Sequence, residues 1–430
     1  MAQAEPKILS LLRRAVDLRP GEGWALASAF GYFFCLLSGY YVLRPLREEM
    51  GVASGVENLQ WLFTGTFVVM LAAVPAFGWL VARLPRRRFI PLVYHFFVLN
   101  IAGFYLLLEF EIATIWVARA FFIWVSVFNL FVISVFWSVM ADLFSNAQAR
   151  RLFGFIAAGG SLGALTGPSL TALLVVPLGP VNLLLISAGF LELAVVFALL
   201  LFRHRPDPAH APAPQPIGGG LLAGLSEILR SPYLAGVAGY ILLLTVTATF
   251  LYFEQAAIVA AASDDSAERT RIFAVIDLLV ALLTIGIQLF LTGRLISWLG
   301  VGATLIFLPL VTLAGFLALG LSPVLPVLIA VQALRRASNF AVSKPAREVL
   351  FTVVPLEAKY KAKNVIDTAV YRGGDVVGGW LYAGLSALSL GLAGIAAVAV
   401  ALAGLWAALG LKLGRAQDRL AAAEKGATPS

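Results

Sequence analysis

The sequence predicts an all-α integral membrane protein with twelve transmembrane helices in two halves of six. Composition is the first reason, since 60% of the 430 residues are hydrophobic and only 13% are charged, whereas soluble domains are about a quarter charged. The second is a series of twelve apolar runs, each near the roughly 20 residues that cross a bilayer. The third is a Pro- and Gly-rich stretch at 203–220 that separates the sixth run from the seventh.

The twelve predicted spans follow one another with short connections. They are 25–43, 60–82, 89–109, 112–139, 153–176, 181–202, 233–262, 271–292, 300–320, 323–350, 363–388 and 390–413. Ahead of the first span, KILSLLRRAVDL at 7–18 has the pattern of an amphipathic helix that lies on the membrane surface.

The interruption at 203–220 sets the predicted domain organisation, because a stretch so rich in Pro and Gly does not form a packed core. The predicted parts are a cytoplasmic amphipathic segment (1–24), an N-terminal six-helix half (25–202), a cytoplasmic linker (203–231), a C-terminal six-helix half (232–413) and a cytoplasmic tail (414–430).

The placement of Lys and Arg predicts the orientation, because cytoplasmic loops carry an excess of both. With the N-terminus inside, the inner segments hold most of the basic loop residues, including the cluster at 83–88. The outer segments hold little beyond Arg44, Arg47, Arg269 and Arg271. We therefore expect both termini in the cytoplasm and a bacterial-type inner membrane. The net charge of +8 then reflects inner loops, not nucleic-acid binding.

The residue inventory limits the chemistry. A single cysteine, Cys35, excludes an internal disulfide and a multi-cysteine metal site. The sequence contains neither a His/Cys cluster nor a P-loop lysine, which argues against a metal site and an ATPase. We expect no enzyme activity and no cofactor, a monomer, and transport driven by a substrate or ion gradient.

A repeated loop pattern supports the two halves. GWLVARLP at 78–85 ends the second span, and GRLISWLG at 293–300 ends the eighth, 215 residues later. Both resemble the loop signature of the major facilitator superfamily. GALTGP at 163–168 resembles the G-x-x-x-G-P motif of that superfamily's fifth helix; the alternative is ordinary packing of small residues.

Polar side chains recur on one face of four predicted spans. A charge at bilayer depth costs roughly 3 kcal/mol or more, so it normally faces a cavity or a partner. At about 100° per residue, the aligned sets are Tyr40, Arg44 and Arg47 in span 1; Arg119 and Ser126, with Asn129 to one side, in span 4; Tyr240, Thr247 and Glu254 in span 7; and Arg336, Asn339, Ser343 and Arg347, with Lys344 beside them, in span 10. In a major-facilitator arrangement, helices 1, 4, 7 and 10 line the central cavity.

Each of these assignments has an alternative. Arg44 and Arg47 could snorkel to the outer interface and pair with Glu48 or Glu49. Lys344 and Arg347 could belong to a basic inner rim, Glu254 could be an interfacial carboxylate, and one of Arg335 and Arg336 could bond backbone carbonyls.

A second set of charges is assigned to gating or coupling. Its members are Glu48, Glu254, Asp277, Asp367 and Asp375. We expect Asp277 to pair with a neighbouring helix, and Asp375 with Arg372 to stabilise a helix contact. His95 is expected to be an interior histidine.

The predicted cavity is positive, because arginines outnumber carboxylates on the four spans. A positive cavity attracts anions, and Arg suits bidentate binding of carboxylate or phosphate. Tyr40 and Tyr240 could stack on a base or a sugar ring, although interfacial tyrosines are common.

Two segments resemble the nucleotide ATP/ADP antiporters of plastids and intracellular bacteria. LRPLREEM at 43–50 is similar to that family's L-R-D-T-K-D segment, and the stretch at 343–375 is similar to its D-P-C-K-E-M to K-x-K-x-x-I-D region. The resemblance implies that Arg47 and Arg347 occupy the positions of transport lysines. It also implies that Glu254 matches a glutamate of helix 7, and that Asn129 lies nearest to a glutamate of helix 4.

The leading hypothesis is a secondary transporter that works by alternating access on a phosphorylated organic anion, with nucleotides as the first candidates. A proton-driven exporter of amphipathic compounds or lipids, with Glu254 as the protonated group, is the alternative. A membrane-embedded scaffold without transport is the third.

Overall fold

The computed structural model describes residues 18–19, 21–83, 86–203 and 221–427, with the side chains of 76–88, 146, 221–223, 293, 295–297, 299, 356, 360 and 424–427 excepted. Several predicted features lie wholly or partly outside the described residues. They are the surface helix at 7–18, the linker at 203–220, the side chains of both loop motifs and the end of the tail.

The described chain is almost entirely helical. The first half contains α1 (Gly23–Ala53), a short 3-10 turn (Val56–Asn58), α2 (Leu59–Arg83), α3 (Arg86–Glu109), α4 (Thr114–Leu143), α5 (Asn146–Leu178) and α6 (Leu183–Arg203). The second contains α7 (Leu221–Arg230), α8 (Pro232–Ala262), α9 (Ser266–Phe290), α10 (Thr292–Leu321), α11 (Leu325–Ser338), α12 (Lys344–Leu350), α13 (Leu356–Val365), α14 (Tyr371–Ala387) and α15 (Leu392–Ala427).

Ten helices in the described part of the chain are long and apolar enough to cross a membrane. The remaining two spans are interrupted by π-helical turns. Asn339–Ser343 joins α11 to α12 in span 10, and Ile366–Val370 joins α13 to α14 in span 11. The predicted all-α fold with twelve spans is therefore confirmed, with span 11 beginning earlier than expected, at Leu356.

The first span is much longer than predicted. The expected end was residue 43, but α1 continues through Pro45 to Ala53. Membrane helices tolerate such a proline where neighbouring groups satisfy the freed backbone. Arg44 and Arg47 therefore lie inside a helix, with side chains that are only partly exposed, and Arg47 pairs with Glu48, as the alternative interpretation of this segment expects.

The helices form two compact units. The first comprises Met1–Ser54, Val68–Pro214 and Asp265–Leu278, and the second Gly55–Phe67, Gln215–Asp264 and Leu279–Ser430. The beginning of α9 thus packs with helices of the first sequence half, and the beginning of α2 packs with helices of the second.

Unit 1 is held by aromatic packing and by glycines. Phe33 of α1 stacks on Phe136 of α4, with ring centroids 4.1 Å apart. Gly159, Gly163 and Gly167 recur every fourth residue in α5. A Cβ on each would lie within 2.8 Å of a backbone oxygen of α1. This small-residue stripe lets the two backbones approach closely.

The start of α5 is also tied to the start of α1. Glu22 accepts hydrogen bonds from Nη2 of Arg151 at 2.9 Å and from Nε2 of Gln148 at 3.0 Å. Burial raises the pKa of the Glu22 carboxyl, but these hydrogen bonds and one from the Arg19 backbone outweigh burial and hold it below its ordinary value. Arg151 therefore has a structural partner, Glu22, just before the start of α1.

In unit 2, glycines also allow two helices to approach closely. A Cβ on Gly374 of α14 would lie 1.9 Å from Oγ1 of Thr245 on α8, and one on Gly378 would lie 3.0 Å from the side chain of Thr249. Trp406 of α15 is fully buried beside Tyr240. Close contact between α8 and α14 fixes the polar residues described below.

The glycine stripe of α5 makes a testable prediction. Gly163→Ala should destabilise the protein, because the added Cβ would lie 2.6 Å from the Phe34 carbonyl oxygen, and overpacking costs about 1–3 kcal/mol. We expect the Tm in detergent to fall by about 5 °C. Gly154→Ala on the same helix is the control, since nothing lies within 4 Å of its Cβ position. That change should leave the Tm unchanged or raise it. Equal effects of the two variants would contradict this packing.

Candidate functional site

Arg47 is the most fully engaged cation of span 1. Its Nε donates to the Phe122 carbonyl oxygen and to Oγ of Ser126, both at 3.2 Å, and its Nη1 lies 3.0 Å from Oε1 of Glu48. The guanidinium also lies 3.8 Å from the ring centroid of Phe122. The structure thus brings together Arg47 and Ser126, from two of the polar faces, with Glu48 of the set assigned to gating or coupling.

Arg44 and Asp277 form a second contact in unit 1. Nε of Arg44 lies 3.6 Å from Oδ2 of Asp277 on α9, and its guanidinium lies 5.8 Å from the ring centroid of Tyr41. Tyr40 is half-buried and meets the Tyr41 ring edge-on. The predicted stripe of Tyr40, Arg44 and Arg47 therefore divides between two different partners.

Among the buried ion pairs described in unit 1, Glu49 and Arg269 have the shortest distance between charged atoms, 2.6 Å. Nε and Nη2 of Arg269 donate to the two carboxylate oxygens of Glu49 at 2.8 and 2.6 Å. The Glu49 side chain is 1% exposed and that of Arg269 is 13% exposed. This is bidentate pairing of the strong, charge-assisted kind.

The sequence does not single out Arg269, because the predicted span 8 begins at residue 271. In the structure α9 begins at Ser266. The Asp265 carboxylate accepts from the backbone N–H of Ala267 and Glu268. An Asp followed three residues later by Glu is a helix-start signal, and it would have placed Arg269 inside the helix.

Span 4 contributes Arg119 and Asn129 beside Ser126. Nη2 of Arg119 donates to the Ser54 carbonyl oxygen at 3.4 Å, and its guanidinium lies 4.9 Å from the Trp116 ring centroid. Nε of Arg119 and Oδ1 of Asn129 are buried without a hydrogen-bond partner among the described residues.

In unit 2, Glu254 of α8 is 1% exposed. Its Oε1 has no hydrogen-bond partner in the described chain, and neither do Oε1 of Gln255 and Oε1 of Gln332. The carboxylate lies close enough to the phenol of Tyr382 to interact electrostatically. Nε2 of Gln332 on α11 donates to the Leu251 carbonyl oxygen at 3.5 Å, one helical turn before Glu254.

Span 10 departs from its predicted stripe. An i→i+5 turn holds one residue more than an α-turn, so positions beyond it are rotated by about 100°. The π turn at Asn339–Ser343 therefore breaks the alignment of Arg336 and Asn339 with Ser343 and Arg347. Ser343 is fully buried, Arg336 and Arg347 are half-buried, and Lys344 is exposed.

Arg335 is the buried arginine of this span. Arg335 is 7% exposed, whereas Arg336 is only half-buried. Regular periodicity gives no reason to prefer it over Arg336. Only its contacts with the surrounding helices reveal the difference.

Span 11 holds two carboxylates in different settings. Asp375 accepts from Nη1 of Arg372 at 3.3 Å and from Oγ1 of Thr249 on α8 at 3.5 Å. Asp367 is exposed beside Lys363, which pairs with Glu348. Asp375 thus lies at a helix contact, and Asp367 lies in a charged cluster with α12 and α13.

The prediction of an interior His95 is wrong, and Tyr240 has no free ring for the stacking role that the sequence left open. His95 is not interior: its side chain is 53% exposed, and Nε2 lies 3.3 Å from Oε2 of Glu192. Tyr240 does not present a free ring, because it is fully buried, packs on Trp406 and donates to the Leu305 carbonyl oxygen at 2.7 Å. Helical periodicity cannot distinguish a packed face from a ligand-facing one. Within the described residues, no group of His, Cys, Asp and Glu could hold a metal ion.

Twelve spans with polar and charged side chains buried between them define a polytopic membrane protein. The model of the Major Facilitator Superfamily matches residues 23–346. The chain belongs to the major facilitator superfamily.

Solved structures with similar folds are transporters at low sequence identity. A bacterial homologue of the human lysosomal transporter Spinster, in an inward-facing and unoccupied conformation, has a TM-score of 0.62 at 15% identity, covering 94% of this chain and 99% of its own. The nucleoside transporter NupG has a TM-score of 0.65 at 13% identity, covering 93% and 99%. A POT family transporter in complex with a thioalcohol-conjugated peptide has 0.64 at 12%, covering 92% and 96%. A search of curated proteins gave no significant match.

The Glu49–Arg269 pair makes the second prediction. Removing one partner of a buried ion pair leaves an uncompensated charge, which costs about 3–5 kcal/mol. Arg269→Ala should therefore lower the Tm in detergent, and the double variant with Glu49→Ala should lose less than the sum of the single changes.

Arg271→Ala is the matched control for that cycle. Arg271 pairs with Glu268 on the same helix at 3.5 Å, but these side chains are 51% and 44% exposed. Exposed pairs contribute about 1 kcal/mol or less. Strict additivity of the Glu49 and Arg269 variants, or an equal loss for Arg271→Ala, would refute the assignment.

Proposed function

We propose that the protein is a secondary active transporter that moves a phosphorylated organic anion across the inner membrane by alternating access, with nucleotides as the first candidates. We propose a monomer with both termini in the cytoplasm, in keeping with the basic inner segments.

One observation carries the proposal: arginines on the spanning helices keep buried N–H groups without acceptors. Nε of Arg119, Nε and Nη1 of Arg335 and Nε of Arg347 are all in this state within the described chain. Guanidinium groups bind phosphate and carboxylate oxygens in bidentate fashion. Unsatisfied donors at membrane depth favour an anionic ligand over an uncharged one.

The resemblance to nucleotide ATP/ADP antiporters supports a nucleotide. It places transport cations at Arg47 and Arg347. In this structure Arg47 is engaged by Glu48, Ser126 and a backbone oxygen, whereas Arg347 keeps an unpaired Nε–H. We therefore assign first contact with the substrate to Arg347, and assign Arg47 to a site that opens only when its pairing with Glu48 is released.

The carboxylates take gating and coupling roles in this scheme. Asp277 restrains Arg44, Asp375 ties Arg372 and Thr249 together, and Asp367 lies among the cations of α12 and α13. The remaining polar residues of the predicted faces contribute to anion binding. Arg336 and Lys344 supply positive potential, and hydrogen bonds come from Tyr40, Asn129 and Asn339.

A second candidate is a proton-coupled exporter of amphipathic compounds or lipids. The observation that favours it is Glu254, which is 1% exposed beside Tyr382 and has a carboxylate oxygen without a hydrogen-bond partner in the described chain. A buried carboxyl in such surroundings is suited to carrying a proton.

The two candidate functions predict that different residues are essential for transport. With purified protein in liposomes preloaded with ATP or AMP, we expect uptake of labelled nucleotide by exchange. Arg347→Ala should reduce that exchange at least ten-fold, because it removes a phosphate contact worth about 1.4 kcal/mol or more, and Glu254→Gln should retain most of it.

Arg271→Ala, which changes an exposed arginine, controls for the loss of one positive charge. If no phosphorylated compound exchanges, and a lipophilic cation instead moves with a proton gradient in a manner abolished by Glu254→Gln, the second candidate replaces the first.

A further inference from the structure

We propose that Arg335 is the principal anion-binding residue of span 10, and that with Gln332, Ser338 and Asn339 it forms a site for the phosphoryl group of the substrate. The inference rests on the proposed function and deepens it, because Arg347 makes the first contact and Arg335, which lies outside the predicted polar face, then holds the phosphoryl group.

Burial without a counterion is the first argument. The Arg335 side chain is 7% exposed, and its Nε and Nη1 are buried without an acceptor in the described part of the chain. The charged and phenolic groups that influence it are Tyr371 and Arg336, and neither supplies a negative charge at neutral pH.

Two carboxylates on neighbouring helices of unit 2 already have other partners. Asp375 binds Arg372 and Thr249, and Glu348 pairs with Lys363. Glu254 and Arg335 are both described, and no ion pair joins them. The guanidinium therefore lacks a counterion within the described chain.

The same chain shows what a structural arginine looks like. Arg269 is buried to a similar degree, and both of its outer N–H groups reach the carboxylate of Glu49. A buried charge without a partner is strongly unfavourable. Retaining one at Arg335, where an apolar residue would pack without that cost, is explained by a ligand that supplies the negative charge.

The neighbours of Arg335 complete a polar site. Gln332 and Asn339 lie three residues before it and four after it, so they share its helix face. Oε1 of Gln332, Oγ of Ser338 and Oδ1 of Asn339 are buried without hydrogen-bond partners in the described chain. Amide and hydroxyl groups carry donors as well as acceptors, so rotation about their terminal bonds can direct the Ser338 O–H and the Asn339 N–H groups to an oxyanion, while Gln332 keeps its hydrogen bond to the Leu251 carbonyl oxygen.

The π turn begins within this group, at Asn339. Single π turns inside α-helices occur frequently at functional sites. A tetrahedral group with several oxygens matches a fork of guanidinium donors flanked by amide and hydroxyl donors. We therefore name a phosphoryl group as the ligand.

The test compares Arg335→Gln with Arg336→Gln, two losses of one positive charge at adjacent positions. The probes are inorganic phosphate and AMP, with adenosine as the uncharged counterpart of AMP. The measurements are the Tm of the purified protein without ligand, the rise in Tm with each probe, and the Kd for AMP by calorimetry.

We expect AMP and phosphate, but not adenosine, to stabilise the wild-type protein. Arg335→Gln should weaken AMP binding at least thirty-fold while leaving the Tm without ligand unchanged or higher, because the uncompensated charge is gone. Arg336→Gln should weaken binding less than five-fold. Arg335→Lys, which keeps the charge but not the fork, should fall between them and guards against misfolding of the glutamine variant.

Two different failures can be told apart. If the wild-type protein binds AMP and Arg335→Gln binds it equally well, or if its Tm without ligand falls as it does for Arg269→Ala, Arg335 is structural and this inference is wrong while anion transport stands. If the wild-type protein neither binds nor exchanges any phosphorylated probe, the proposed function itself is refuted, and the Arg335 site with it.

Discussion

The cost of a charge at membrane depth is the constraint on which both units depend. Water is absent there, so an ionised side chain needs a counterion or a ligand. Unit 1 meets most of this requirement internally, by pairing Glu49 with Arg269, Arg44 with Asp277 and Arg47 with Glu48, although Nε of Arg119 has no acceptor in the described chain. Unit 2 pairs Arg372 with Asp375, but it leaves donors of Arg335 and an acceptor of Glu254 unsatisfied in the described chain. The two units therefore differ in degree: Arg335 in unit 2 has two buried N–H groups without acceptors and no ion pair in the described chain, whereas the buried Arg269 in unit 1 has a carboxylate partner.

Close backbone packing is what fixes these charges in position. In unit 2, Gly374 and Gly378 seat α14 directly on α8 at Thr245 and Thr249. Asp375, between those glycines, is thereby held against Thr249. Small residues give membrane helices a rigid contact without a hydrophobic driving force. A polar side chain on such a helix has few alternative positions, so the arrangement of partners is set by the glycines as much as by the charges themselves.

The fold was predictable because hydropathy alone constrains membrane helices strongly. Twelve apolar runs gave twelve spans, and the loop signature gave the superfamily. The site was predictable only in part. The sequence places arginines on span 10, but it does not reveal the π turn. That turn rotates Ser343 and Arg347 away from the face of Arg336. Likewise α1 runs past Pro45 to Ala53, which takes Glu49 into a helix and next to Arg269. Pairing across helices distant in sequence depends on tertiary contacts that periodicity does not encode.

The contrast between the units bears on how transport would be driven. In the ligand-free structure the Arg335 guanidinium is buried with no counterion in the described chain. Under the proposed function, a bound anion supplies that counterion, so it stabilises the state in which the guanidinium is buried. The empty protein in that state is destabilised relative to the loaded one, and the proposed scheme therefore favours exchange of one anion for another. In the same scheme, a Glu254 carboxylate moved next to Arg335 would replace the charge of the substrate and stabilise the empty form.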